Sequence, residues 1–139
     1  MEEGDKMLIK LDLQSEVPIY LQLRNQIIEG IATKKLQPGE ALPSVRQLGI
    51  DLGINFHTVN KAYSILKQDG FILVHRQKGV VVNTGPMPGI DANYIEALEN
   101  ELEPIVAEAY CRGMTSLQFR EISERLFNKL MKEGGEKNG

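Results

Sequence analysis

The chain has 139 residues, of which 42% are hydrophobic, and this content suits one packed domain with an appendage. Its single cysteine, Cys111, excludes an internal disulfide, and one cysteine with two scattered histidines gives no metal-ligand cluster. No apolar run is long enough to span a bilayer, and the acidic start lacks the basic opening of a signal peptide. These features predict a cytoplasmic protein with no metal and no cofactor.

Charge is distributed unevenly along the chain, whose formal net charge is -3. Residues 34–78 carry seven basic and three acidic side chains, whereas residues 86–139 carry six basic and ten acidic ones. Because the local charge near phosphate governs the electrostatic part of DNA affinity, the first segment is compatible with nucleic-acid binding despite the acidic total.

The N-terminal part is predicted to hold one helix. Leu8, Leu11 and Leu13 indicate a short apolar contact or strand before it. Pro18 suits the first helical position, where its missing N–H is no loss, and apolar residues at helical spacing extend the helix to about Thr33.

Two short capped helices joined by a glycine turn come next. Ser44 with Gln47 three residues later forms a capping-box pattern. Gly53 fits the left-handed position that ends the first helix, and Asn55 caps the second. This order of elements is the helix-turn-helix signature.

The helix after the turn has one apolar and one polar face. The apolar stripe at i, i+3, i+4 and i+7 predicts the buried side, and it consists of Val59, Ala62, Tyr63 and Leu66. The opposite face is entirely polar and collects His57, Asn60, Lys61, Ser64 and Gln68.

This polar face suits DNA, because an α-helix fits the major groove and amide or amine groups can read base edges there. We therefore expect Asn60 and Lys61 to discriminate bases, while Ser44 and Arg46 contact the backbone and fix the register. A basic hairpin follows, in which Arg76 and the pair Lys78-Gly79 form the tip of a wing that would contact phosphate.

A Pro- and Gly-rich linker separates this unit from two amphipathic helices. Pro104 lies inside the first tail helix, so a kink or a break is expected there. The tail from Gly134 is expected to be disordered. The apolar faces are too large for two helices to hide alone, so they predict a homodimer. The predicted dimerisation residues are Ile95, Leu98, Leu102, Ile105, Phe119, Ile122, Leu126 and Leu130.

The sequence offers no catalytic constellation. It contains no Ser/His/Asp set, no phosphate-binding glycine loop and no Cys-x-x-Cys pair. The tail glutamates lack the partners of an acid–base or metal site and fit a solvated face. We therefore expect a protein that is not an enzyme.

Several motifs between about residues 15 and 83 resemble the bacterial GntR transcription regulators. They are Pro18-Ile19-Tyr20, residues 36–39 (LQPG), residues 42–48 (LPSVRQL), residues 58–63 (TVNKAY) and residues 69–72 (DGFI). The resemblance implies a winged helix-turn-helix. It also implies that the family's DNA-contacting positions correspond to Ser44, Arg46, Asn55, His57, Thr58, Asn60 and Lys78-Gly79.

The short two-helix tail is similar to that of the YtrA-type subfamily, which implies a dimeric regulator. Two features depart from the family pattern. Phe56, Asn60 and Lys61 stand in the recognition helix where many relatives have arginine, and Gln77 replaces the first glycine of the wing. An operator sequence therefore cannot be carried over from relatives.

These observations together predict a mainly α fold with a small β-hairpin. The winged helix-turn-helix domain is expected over residues 8–84, the linker over 85–90 and the helical dimerisation tail over 91–133. We expect a transcription regulator, a repressor, that binds a pseudo-palindromic double-stranded DNA operator as a homodimer without any membrane association. The alternative is a winged-helix module that binds protein instead of DNA, and the sequence leaves any small-molecule effector unknown.

Overall fold

The computed structural model describes residues 9–138, and within that range the chain forms five helices and one antiparallel hairpin. The helices are α1 (Ile19–Ala32), α2 (Val45–Leu52), α3 (Phe56–Asp69), α4 (Ala92–Cys111) and α5 (Ser116–Asn138). The strands are β1 (Ile72–His75) and β2 (Gly79–Val82). The predicted fold class, mainly α with a small hairpin and a two-helix tail, is confirmed.

The core lies between α1, α2, α3 and the hairpin, and α3 is its central element. The predicted stripe of Val59, Ala62, Tyr63 and Leu66 is buried, with no member more than 1% exposed. Leu23 and Ile27 of α1 are fully buried against the same core. Burying four side chains on one side of α3 fixes the rotation of this helix about its axis.

The turn between α2 and α3 has the predicted caps. The Ser44 hydroxyl accepts a hydrogen bond from the Gln47 amide at 3.0 Å, and the Asn55 side chain accepts one from the His57 amide at 2.8 Å. Gly53 ends α2 at φ 69°, a left-handed conformation that favours glycine. The reciprocal half of the capping box is absent, because the Gln47 side chain donates to Asp51 instead.

A third segment extends the hairpin beyond the two predicted strands. β1 pairs with β2 from Ile72 opposite Val82 to His75 opposite Gly79. On its other edge β2 bonds to residues 39–42, and the Leu42 amide donates to the Val80 carbonyl at 2.8 Å. This pairing attaches the wing to the segment that leads into α2, so the wing does not hang freely from the core.

The predicted linker over residues 85–90 is anchored along its first half. The Asn83 side-chain amide donates to the Gly70 carbonyl at 2.8 Å and to the Pro86 carbonyl at 3.2 Å. Met87 packs against the core, and Pro88 lies beside Gly70. Any hinge between the DNA-binding unit and the tail is therefore confined to the few residues between Pro88 and α4.

Of the two possibilities for the N-terminal segment, the strand is wrong: Leu11 and Leu13 lie outside any strand, Leu11 is half-buried, and Leu8 lies outside the described residues. The segment is held by two glutamines of α1 instead of a β partner. Gln26 bonds to both the N–H and the C=O of Lys10, at 2.9 and 2.6 Å, and Gln22 does the same for Asp12, at 2.8 and 3.0 Å. Side-chain amides thus satisfy backbone groups that a strand would have paired.

The expected break at Pro104 and the expected disorder from Gly134 are both wrong. α4 runs without a break through Pro104, whereas a kink there stays a prediction. α5 continues past Gly134, which is buried because its backbone packs on the end of α1. A Cβ at Gly134 would lie 3.2 Å from the Ala32 carbonyl oxygen, so the missing side chain permits this close approach.

None of the helices in residues 9–138 is long and apolar enough to cross a membrane.

Tyr63 provides a test of how the helix-turn-helix is held together. Its buried hydroxyl donates to the Pro43 carbonyl at 2.8 Å, and burial raises the pKa of this phenol. Tyr63→Phe keeps the ring and removes the hydrogen bond, so we expect the free energy of unfolding to fall by about 1–2 kcal/mol in urea denaturation.

Tyr94→Phe is the matched control, because Tyr94 is 50% exposed on α4. It should leave the urea midpoint unchanged. A Tyr63→Phe variant as stable as the unchanged chain would show that the bond to Pro43 contributes nothing.

Candidate nucleic-acid interface

The polar face of α3 points away from the core, as the stripe predicts. All five members of this face are exposed, namely His57, Asn60, Lys61, Ser64 and Gln68. The first two turns of the helix contribute His57 and Asn60, and both side chains are exposed. The surface can therefore enter a groove without any rearrangement of the core.

Ser44 and Asn55 act on this surface through the helices that they cap. Each places its side-chain oxygen on the first turn of its helix, at 3.0 and 2.8 Å from the bonded amide nitrogen. A capping oxygen is already engaged as an acceptor, so these residues orient the start of α2 and α3. Thr58 is half-buried beside them, whereas Arg46 and His57 are exposed.

An aromatic stack links the two helices at this edge. The Arg46 guanidinium carbon lies 5.1 Å from the centroid of the Phe56 ring, and the rings of Phe56 and His57 stack at 4.4 Å with an interplanar angle of 29°. The guanidinium is attracted to the negative face of the ring, which restricts where Arg46 can point. Sequence reasoning left Phe56 out of the candidate site, although its position off the core stripe was visible.

Lys61 is directed toward α1 and not straight outward. Its ammonium nitrogen lies 4.0 Å from the centroid of the Tyr20 ring. This cation–π contact holds Lys61 at the flank of the α3 face. The structure therefore separates Lys61 from Asn60, although the sequence had paired them as base readers.

The tip of the wing is ordered by His75. Its Nδ1 atom accepts hydrogen bonds from the backbone amides of Gln77 and Lys78, each at 3.1 Å. Gly79 follows at φ 80°, and the side chains of Arg76 and Lys78 are exposed. The predicted wing is present, and His75 has the structural role that a strand histidine commonly has.

The basic groups of this surface keep their charge available. Among residues 9–138, Arg46, Arg76 and Lys78 form no ion pair with an acidic side chain. Arg24 instead lies 4.0 Å from Asp69 at the far end of α3. Within the same range, no group of three His, Cys, Asp or Glu residues is placed to hold a metal ion.

The predicted dimerisation residues lie on α4 and α5, and none of them is buried. Ile95, Leu98, Ile105 and Leu126 are exposed, the most open being Leu126 at 57%. The other four, which are half-buried, are Leu102, Phe119, Ile122 and Leu130. Most of the exposed large apolar side chains in the described residues belong to these two helices.

A winged helix-turn-helix with a basic wing and a polar recognition face defines a DNA-binding protein, and comparisons with known proteins agree. Residues 19–82 match the family described as "Bacterial regulatory proteins, gntR family". The chain is 30% identical to the uncharacterized HTH-type transcriptional regulator YhcF of Bacillus subtilis (strain 168). That alignment covers 88% of this chain and 96% of YhcF.

Two further similarities involve proteins named YtrA. The HTH-type transcriptional repressor YtrA of Bacillus subtilis (strain 168) is 28% identical over 94% of this chain and 99% of its own length. The solved structure of YtrA from Sulfolobus acidocaldarius, a GntR-family transcription factor, superposes with a TM-score of 0.57. It shares 41% identity over 75% of this chain and 98% of that one.

The chain belongs to the GntR family of DNA-binding transcription regulators. Its similarity to YtrA proteins over nearly their whole length assigns it to the YtrA-type subfamily. The resemblance inferred from the sequence motifs is confirmed.

Proposed function

We propose that the chain is a repressor that binds a pseudo-palindromic DNA operator as a homodimer. The observation that supports DNA binding most directly is the exposed polar face at the start of α3, whose orientation is fixed by the buried stripe behind it. Repression is supported by the similarity to the repressor YtrA. A regulator of bacterial genes acts where the chromosome lies, so we place it in the cytoplasm.

Each part of the interface is assigned a role from its chemistry. Asn60 would pair with an adenine edge in the major groove, and His57 lies one turn before it on the same exposed face. Arg46 would contact the backbone from the start of α2, and Ser44 and Asn55 would orient the helix ends. We assign Lys61 to phosphate instead of a base, because its contact with Tyr20 holds it at the flank.

The wing would add affinity that depends little on sequence. Arg76 and Lys78 are exposed charges on a turn fixed by His75, and such groups suit phosphate oxygens. Gly79 lets the backbone turn sharply beside them. The wing therefore supplies electrostatic attraction, and α3 supplies the choice of sequence.

The dimer is proposed from the uncovered apolar faces of α4 and α5. Apolar surface on this scale marks an interaction site in a water-exposed protein. The range 92–111 carries five glutamates and no basic residue, so two α4 helices would repel each other if they paired. The range 116–138 carries five basic and four acidic residues, so α5 of the partner repels α4 less than a second α4 would.

The competing proposal is a winged-helix module that binds protein and not DNA. The two differ in their dependence on salt, because release of counterions from phosphate makes DNA affinity fall steeply as salt rises. A small-molecule effector has little support in the tail. Two shallow concavities there are each lined by one helix alone, one by residues of α4 and the other by residues of α5.

Asn60→Ala tests the readout role. On a duplex selected by the protein from a randomised library, the variant should lose about 1–3 kcal/mol of binding free energy and relax the preference at one base step in each half-site. In a two-fold dimer the half-sites should lie roughly 10 base pairs or a multiple apart. Binding to random DNA should hardly change.

Ser64→Ala is the matched control, since Ser64 lies on the same exposed face of α3 but about one turn further along the helix than Asn60. It should bind the selected duplex like the unchanged chain. Equal losses by Asn60→Ala on selected and scrambled duplexes would place Asn60 on phosphate or in the fold. If the unchanged chain shows no salt-dependent binding to any duplex, the protein-binding alternative is favoured.

The dimer is tested on the full chain with Ile105→Asp in α4 and Leu126→Asp in α5, which are 55% and 57% exposed. Because both positions are open in the protomer, the substitutions should leave the fold intact. A buried carboxylate at the interface should convert the dimer into a monomer at micromolar concentration, measured by light scattering after size exclusion.

Leu13→Asp is the control, because Leu13 is 73% exposed and lies outside the tail. It should remain dimeric. A monomeric unchanged chain, or dimeric Ile105→Asp and Leu126→Asp variants, would contradict the assignment.

A further inference from the structure

Phe56 is an exposed aromatic residue at the first position of α3, where the polar face would enter DNA. It is 40% exposed, whereas the apolar stripe of the same helix is at most 1% exposed. Its ring therefore does not belong to the core. A single exposed apolar side chain is common on protein surfaces, but this one stands at the end of α3 that would meet DNA, where it could contact an apolar group.

The backbone of Phe56 is fixed against α2. A Cβ at Gly49 would lie 3.3 Å from the Phe56 Cα and 3.4 Å from its Cβ. The two helices therefore pack closely at this point, and a side chain at position 49 would push their backbones apart by a few tenths of an ångström. Any movement of Phe56 would have to move the start of α3 with it.

The ring itself is held by two neighbours. Arg46 lies over it at 5.1 Å, and the His57 ring stacks on it at 4.4 Å. These contacts limit the rotation of the side chain, while the exposed remainder of the ring still faces outward. A ring held in this way is ready to make contact, since little side-chain freedom remains to be lost on binding.

The major groove presents one apolar group on base edges, which is the C5-methyl group of thymine. We propose that Phe56 contacts this methyl group and gives the protein a preference for thymine at one position of each half-site. The proposal rests on the proposed function, because it requires α3 to lie in the major groove. Phe56 would then determine specificity, although the family resemblance does not assign it a role.

The position of Asn60 locates the expected thymine. Asn60 follows Phe56 by four residues, so both side chains lie on one face of α3, with Cβ atoms about 5–6 Å apart. The rise along each DNA strand is about 3.4 Å per nucleotide. The thymine read by Phe56 should therefore lie within about two base pairs of the adenine read by Asn60.

The test replaces single thymidines by deoxyuridine, which lacks only the methyl group. The probe is a duplex selected by the full chain from a randomised library, with every thymidine replaced in turn. The unchanged protein should lose affinity about three- to ten-fold at one position per half-site, as expected for one apolar contact. Phe56→Ala should bind the two forms of that duplex equally.

Asn60→Ala is the matched comparison within the same helix. It should bind more weakly overall but keep the loss at the uracil position, because its role is a different base contact. Phe56→Leu should keep part of the thymine preference, since leucine remains apolar. Thermal unfolding checks that each variant is folded.

The outcomes separate this proposal from the proposed function. If no duplex is enriched, sequence-specific DNA binding fails, and the proposal fails with it. If a duplex is enriched but uracil is tolerated at every position, only the thymine contact is overturned. If Phe56→Ala weakens both forms of the duplex and keeps their affinity ratio, Phe56 merely positions Arg46 and His57, which also overturns the proposal.

Discussion

The arrangement of the whole interface depends on the burial of one side of α3. Val59, Ala62, Tyr63 and Leu66 occupy the core, so the helix cannot rotate without exposing them. Removing even one such side chain from the core commonly lowers stability by a few kcal/mol, about 2–5 for leucine. This packing therefore fixes which residues face outward. The position of the polar face thus depends on the core behind it.

Two further contacts fix the start of α2 and the wing relative to α3. The Tyr63 hydroxyl bonds to Pro43, which positions the start of α2, and residues 39–42 pair with β2, which positions the wing. The anchored residues after β2 leave only a short hinge before α4. The recognition helix and the wing thus form one body, and the tail joins it through this short segment and through the contact of Gly134 with Ala32.

The sequence was sufficient for features that depend on local pattern. The caps by Ser44 and Asn55, the glycine turn and the α3 stripe follow from neighbours within one or two helical turns, and all are present. Contacts between distant segments carry no such pattern. Gln22 and Gln26 bonding to the N-terminal backbone, and Gly134 meeting Ala32, depend on how whole elements pack.

In the candidate site, too, local features were predictable from the sequence and contacts between distant segments were not. The polar face of α3 was predictable from spacing, but the direction of a long side chain was not. The Lys61 side chain lies against the Tyr20 ring of α1, and the Arg46 side chain lies against the Phe56 ring of α3, because these rings attract the positive charges. Only the folded structure shows that Phe56, an apolar residue beside a polar face, contacts both Arg46 and His57.

Hydrogen–deuterium exchange with and without DNA tests the central claim, that the rigid unit of α3 and the wing is the surface that meets DNA. On addition of a duplex selected by the protein, amide exchange should slow in residues 56–61 and 76–79, and it should stay unchanged in residues 95–109 of the tail. Slower exchange confined to α4 and α5, with residues 56–61 unaffected, would contradict the account.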